Sequence, residues 1–205
     1  MKKVIGLDMS TTSTGWCLFY DKELETYGCL KETEKDMSIR LINMRNQIKE
    51  VLNKNMPDVV IIEEIPISSK ANLNVGKSLC VLQGLILGVC ADLNIPYIMT
   101  APSKWRAKVG ILKSIYTCDK CGHTFEAKSG LKHLICAECG NVSFSRFKKT
   151  PLNKRQQLKK RAVEMVNELY DLDLLFHNSK NSNQDDEAES ILLARSEIFK
   201  SGEKE

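Results

Sequence analysis

The chain has 205 residues, 42% of them hydrophobic, and a formal net charge of +4. That length suits one ordinary domain with room for an insertion, and the composition supports a real core. No run of about 18 uninterrupted apolar residues occurs, so no spanning helix is expected. Met1-Lys2-Lys3-Val4 leads straight into a strand without the apolar region of a signal peptide, so the cytoplasm of a cell or infected host is the expected location.

Val4, Ile5 and Leu7 make a short apolar first strand, and Asp8 stands where it ends. So apolar a strand predicts a central position covered on both sides, where an unpaired charge is costly. Asp8 therefore needs a partner: a metal ion or phosphate-metal complex, or backbone N–H groups of the Ser/Thr/Gly-rich turn that follows. Strands over about 3–8, 14–20 and 26–31 are expected to form an antiparallel meander. From Met37 to Leu52 the apolar residues fall at helical spacing, with Asp36 as N-cap.

Val59-Val60-Ile61-Ile62 gives a fourth strand, again buried on both faces and again ending in acid, Glu63-Glu64. A polar loop over 65–76 precedes an apolar helix over about 77–93. Its Gly84 and Gly88 allow close approach of a neighbour, either the core or a subunit partner. A fifth strand, Pro96 to Thr100, leads to a short helix with Pro102 in its first turn.

Cys118-x2-Cys121 and Cys136-x2-Cys139, each pair followed by glycine, form two knuckles that suit tetrahedral, structural Zn²⁺. A unit this small lacks its own core, so the metal holds it folded. Four thiolates close the shell and leave no position for a catalytic water; His123 and His133 are spare candidates. The other four cysteines sit singly in apolar segments, and no disulfide framework is implied. A basic helix over about 152–171 follows, with an apolar stripe of Leu158, Ala162, Met165, Val166 and Leu169. After a polar loop at 178–184, the last helix runs from Asp185 to about Lys200.

Charge is unevenly spread. Lys104 to Arg161 holds 15 basic and 3 acidic residues, a net +12, and the remainder nets −8. A basic middle in an acidic chain points to a polyanion, nucleic acid above all. The acids form their own pattern. Asp8 and Glu63 end strands that can lie side by side, while Asp186 and Glu189 share one face of the inward-packing last helix. Converging carboxylates need divalent cations, and oxygen-only ligands favour Mg²⁺ or Mn²⁺. With the basic middle, this describes two-metal phosphodiester hydrolysis.

The order Gly6-Leu7-Asp8, Thr14-Gly15-Trp16, Ile61-Ile62-Glu63-Glu64, Ala101-Pro102-Ser103-Lys104 and Asp186-Glu187-Ala188-Glu189 resembles the RuvC-type Holliday-junction resolvases, nearer their phage-borne branch. The resemblance implies an α/β, RNase H-like fold: a mixed five-stranded sheet flanked by helices over 1–113 and 149–205. Residues 114–148 would be an inserted four-cysteine zinc ribbon, read as a DNA-contacting arm, with a structural cap or a dimer contact as the alternatives. It also implies a homodimer that nicks branched DNA and leaves 5′-phosphates. Asp8, Glu63, Asp186 and Glu189 then become the catalytic Mg²⁺ ligands. Glu189 departs from the family's usual Asp, and Asp185 is a possible substitute. The family's basic helpers correspond to Lys104 and Lys154. Two other classes compete: a non-catalytic zinc-ribbon DNA binder, and an actin- or sugar-kinase-like ATPase whose phosphate turn also runs from an Asp through Thr, Ser and Gly.

Overall fold

The computed structural model describes residues 2–65, 73–128, 134–146, 154–176 and 183–199. The expected loop residues Ser68 to Asn72, most of the 178–184 loop, His133 and the 201–205 tail lie outside the described residues. Strands β1 (Lys3–Asp8), β2 (Ser13–Tyr20) and β3 (Glu23–Lys31) form the antiparallel meander. Its second turn is made at Asp21, whose φ of 54° lies in the left-handed region that Asp tolerates.

Helix α1 (Met37–Asn55) is capped as expected: the Asp36 carboxylate accepts from the N–H groups of Ser38 and Ile39 at 2.9 and 3.0 Å. β4 (Val59–Glu63) then adds to β1 in parallel, helix α2 (Leu73–Asp92) crosses over, and β5 (Tyr97–Thr100) adds in parallel to β4. The sheet order is β3-β2-β1-β4-β5, a mixed five-stranded sheet. α3 (Pro102–Lys108), α4 (Lys154–Tyr170) and α5 (Asp185–Ile198) follow. β6 (Lys113–Cys118), β7 (Thr124–Lys128) and β8 (Phe144–Arg146) make a separate three-stranded sheet, β7-β6-β8, between α3 and α4.

Alternation along the central strands divides the core in two. Ile5 and Leu7 of β1, with Val60 and Ile62 of β4, pack under α1 and α2. Val4, Val59 and Ile61 pack on the other face with Trp105, Ala162, Val166 and the buried run Ala188 to Ala194. Both faces of the sheet are therefore covered, as the apolar strands predict.

Two expectations about α2 need correction. Asn74–Asp92 is, by length and composition, apolar enough to cross a membrane, because its polar residues are few and scattered. One face of it nevertheless packs on the sheet through Leu82, Ile86, Val89 and Cys90. Gly84 and Gly88 do not serve core packing: both lie on the exposed face, and a Cβ at either would meet nothing within 4 Å.

Candidate active site

Leu7 is paired with Ile62 across the parallel β1–β4 ladder, so the two strands end level and Asp8 and Glu63 project from adjacent strand ends. Period-two alternation then fixes their face. Gly6 and Ile61, two residues earlier in each strand, lie on the α5 side, and so do both acids. α5 comes down on this face unusually closely. A Cβ on Gly6 would stand 2.5 Å from the Ser190 carbonyl oxygen, and one on Gly15 would overlap the Asp186 backbone carbonyl. These two missing side chains let the first turns of α5 settle onto β1 and β2, which brings Asp186 and Glu189 to the strand ends.

The four predicted acids line one cleft of about 840 Å³, together with Ser10, Ser13, Arg106, Arg155 and Lys159. Arg106 Nη2 stands 2.7 Å from Glu189 Oε1 and 3.7 Å from Glu63 Oε1. Lys159 Nζ makes a close ion pair with Asp185 and lies 3.2 Å from Asp186 Oδ1 and 3.8 Å from Glu189 Oε2. Burial, and then the charges of Glu189, Glu63 and Asp186, hold the Asp8 carboxyl well above the usual carboxylate range. Burial raises Glu63 as well, against the opposing pull of Arg106. Burial disfavours the charged form of Lys159, but Asp186, Asp185 and Glu189 outweigh it and push its pKa up. The cleft thus concentrates more negative charge than its three lining cations, Arg106, Arg155 and Lys159, offset, with oxygen as its anionic donor. Such a donor set suits Mg²⁺ or Mn²⁺, which Asp8, Glu63, Asp186 and Glu189 could hold.

Several finer expectations are decided by these contacts. The turn after β1 is tied by Thr14, whose hydroxyl accepts from the Ser10 N–H at 3.1 Å and donates to the Ser10 carbonyl at 2.9 Å. Backbone N–H capture by Asp8 is therefore not what holds the turn. Glu64 is exposed at the cleft rim, while Glu63 is drawn in beside Arg106. Asp185 is buried, 6% exposed, and is engaged by Lys159. The helper residue expected at Lys104 is corrected: Lys104 is exposed and does not line the cleft, because α3 turns Arg106 inward instead. The Lys154 side chain lies outside the described residues.

Arg106 and Lys159 were not singled out by the sequence pattern. For Lys159 a signal exists, since it falls three, four and seven residues before Ala162, Val163 and Val166, all buried, and so sits on the inward stripe of α4. α3 is only 7 residues long, too short for any such period.

The four cysteines also meet as expected. Their ligand atoms lie within 4.8 Å of one another, with Cys118 Sγ to Cys139 Sγ and Cys121 Sγ to Cys136 Sγ both 3.6 Å. A regular tetrahedron around zinc, with Zn–S of about 2.3 Å, has sulfur edges of about 3.8 Å, so the cage fits that ion. Both knuckles are built alike. The Gly122 N–H donates to the Cys118 carbonyl and the Gly140 N–H to the Cys136 carbonyl, each at 2.9 Å, with φ of 74° and 65°. Burial opposes the Cys118 thiolate, but N–H groups of Cys121 and Lys120 and the Asn141 amide lower its pKa to about 6.

No protein-family model matches the chain, and no curated protein matches it by sequence. Solved structures do. RuvC of Thermus thermophilus in complex with a Holliday junction substrate superposes with a TM-score of 0.58 at 13% identity, covering 96% of this chain and 92% of that one. The yeast mitochondrial Holliday junction resolvase Ydc2 gives 0.55 at 14% identity, covering 96% and 78%. Fowlpox virus resolvase with its Holliday junction DNA gives 0.51 at 16%, covering 96% of each chain. The fold is that of the RuvC-type resolvases. Its RNase H-like sheet carries the acids, and the four-cysteine cluster lies in the connection between α3 and α4.

Proposed function

We propose that the protein is a divalent-metal-dependent endonuclease that nicks four-way or other branched DNA and leaves 5′-phosphates. The observation that carries this reading is the meeting of Asp8, Glu63, Asp186 and Glu189 in one cleft beside Arg106 and Lys159. Divalent ions bound there would supply an activated water and stabilise the leaving oxygen of a phosphodiester. The chain's own residues hold the donor oxygens in place and keep their mutual repulsion in check. Arg106, Arg155 and Lys159 add positive charge at the wall of the cleft, where a DNA phosphate would lie. The RuvC-type fold, shared with proteins solved on Holliday junction DNA, supports the choice of branched DNA.

In the same reading, residues 1–113 and 149–205 are the nuclease domain. Residues 114–148 are an inserted zinc ribbon that adds DNA contact. A homodimer is supported by the outer face of α2, where Val81 is 53% exposed beside the open Gly84 and Gly88. The test is a panel of four-way junctions, forks, flaps and duplexes incubated with Mg²⁺ or Mn²⁺, with nick positions mapped and Asp8→Asn as control. Paired nicks in the four-way junction, lost in the variant, are expected. Junction binding without cutting would leave a zinc-ribbon binder, and ATP turnover without DNA would favour a kinase-like ATPase.

A further inference from the structure

A carboxylate can offer one oxygen or two to a cation, and the partner of its second oxygen decides which. Asp186 has both oxygens engaged in this structure. Lys159 Nζ lies 3.2 Å from Oδ1, on the cleft side. The Ser13 hydroxyl donates to Oδ2 at 2.5 Å from the start of β2. Ser13 Oγ also has Cys29 Sγ of β3 at 3.1 Å. A hydroxyl has one proton, and an ionised carboxylate only accepts. Ser13 therefore donates to Asp186, and in the 3.1 Å contact with Ser13 Oγ the Cys29 thiol is the donor, the Leu30 carbonyl being its other, longer acceptor at 3.8 Å. Burial pushes the Cys29 thiol up, against the opposing pull of the Ser13 hydroxyl. The three residues form a directed chain across two strands and a helix: Cys29 S–H to Ser13 O–H to Asp186 Oδ2.

The backbone makes this contact a built one. Gly15, two residues along β2 from Ser13, has the Asp186 carbonyl where its Cβ would be, so the α5 first turn cannot drift from β2 without opening a gap. β2 and β3 are in continuous register here, with Ser13 opposite Lys31 and Gly15 opposite Cys29, which holds the thiol over the hydroxyl.

We propose that Ser13 is a positioning residue for the metal site: it holds Oδ2 of Asp186, leaves Oδ1 to the cleft, and is itself oriented by Cys29. This rests on the metal-site reading above. Removing the hydroxyl frees Asp186 to rotate, and groups that orient a metal ligand typically change affinity by about 10–100-fold.

The experiment measures Mn²⁺ and Mg²⁺ binding to the full, zinc-loaded chain by calorimetry, with the metal-induced shift in Tm as a second readout and circular dichroism before Mn²⁺ or Mg²⁺ is added as the check on folding. Ser13→Ala is expected to weaken binding by about 10-fold. Ser13→Thr, which keeps the hydroxyl on a strand that welcomes a β-branched residue, is expected to restore it. Cys29→Ser should keep wild-type affinity and Cys29→Ala should lose part of it. Nicking by Ser13→Ala should need more metal for half-maximal rate while approaching the wild-type rate at saturation. Wild-type affinity in a folded Ser13→Ala protein would overturn the proposal while leaving the metal site standing. Absence of metal binding in the wild type would overturn the metal site and this proposal together.

Discussion

Arg106 Nη2 donates to Glu189 Oε1 at 2.7 Å, so a helix that follows β5 supplies the counter-charge for an acid on the last helix of the chain. Glu189 is only 5% exposed at its side chain, and Arg106 reaches Glu63 as well. Removing a cation from a buried pair leaves the anion uncompensated. Arg106→Ala is therefore expected to destabilise the metal-free protein by about 1–3 kcal/mol, since Arg106 itself is 22% exposed and partly screened. Mg²⁺ should recover part of that loss. Chemical denaturation in chelator and in Mg²⁺ measures both, and an equal loss in the two conditions would contradict a charge-balancing role.

Asp8 makes the opposite case. Its folded-state pKa is raised by burial and by Glu189, Glu63 and Asp186. The folded chain therefore binds this proton more tightly than the unfolded one. In chelator, stability then falls as pH rises from the unfolded value of about 3.9 through the higher folded value. Asp8→Asn removes that penalty. At pH 7 without metal the variant is expected to melt higher than wild type, by roughly 2–4 °C for each kcal/mol relieved. The gain should shrink toward pH 4, and the stabilisation that wild type draws from Mg²⁺ should disappear. Thermal melts across pH, with and without Mg²⁺, give all three results.

Gly15 and Gly84 test packing in contrasting ways. A methyl at Gly15 overlaps the Asp186 carbonyl, which is backbone and can yield only if α5 moves. Gly15→Ala is expected to cost about 1–3 kcal/mol and to weaken metal binding sharply, because Asp186 and Glu189 move with the helix. A side chain at Gly84 meets nothing within the chain. Gly84→Leu should leave the melting temperature of the fold close to wild type while shifting the sedimentation of the proposed homodimer toward monomer. Unchanged sedimentation would remove the support that α2 gives to the proposed homodimer.

Zinc removal should separate the two sheets. The ribbon strands pair only with one another among the described strands, and the four sulfurs are gathered tightly enough for one ion. Chelation, or Cys136→Ser, is expected to abolish the amide signals of β6, β7 and β8 and leave those of β1 to β5 in place. Two-dimensional amide spectra report each set, and collapse of both would show that the ribbon is not an independent insertion.

The apolar strands made the fold legible, because Val4 to Leu7 and Val59 to Ile62 tolerate only a buried, two-sided position. The acids were legible for the same reason: an acid closing such a strand needs a partner, and the buried run after Asp186 turned the last helix inward. The cysteine spacing made the zinc cage legible without any tertiary information. The cations were not. Lys104 and Arg106 are two residues apart on a helix too short to show a face, and it takes the folded chain to bring Arg106 onto Glu189 and Glu63. Ser13 stood inside a turn-rich stretch where a hydroxyl has an ordinary local use, and Thr14 next to it has that use. Its partner lies 173 residues away, a distance that no local pattern spans.

The zinc sheet is spliced into the one connection whose upstream end carries Arg106 and whose downstream end carries Lys159. Both guards of the acidic cage are thus tethered to the same appendage. If the knuckles grip DNA as proposed above, a pull on them would act at once on the two segments that carry these cations.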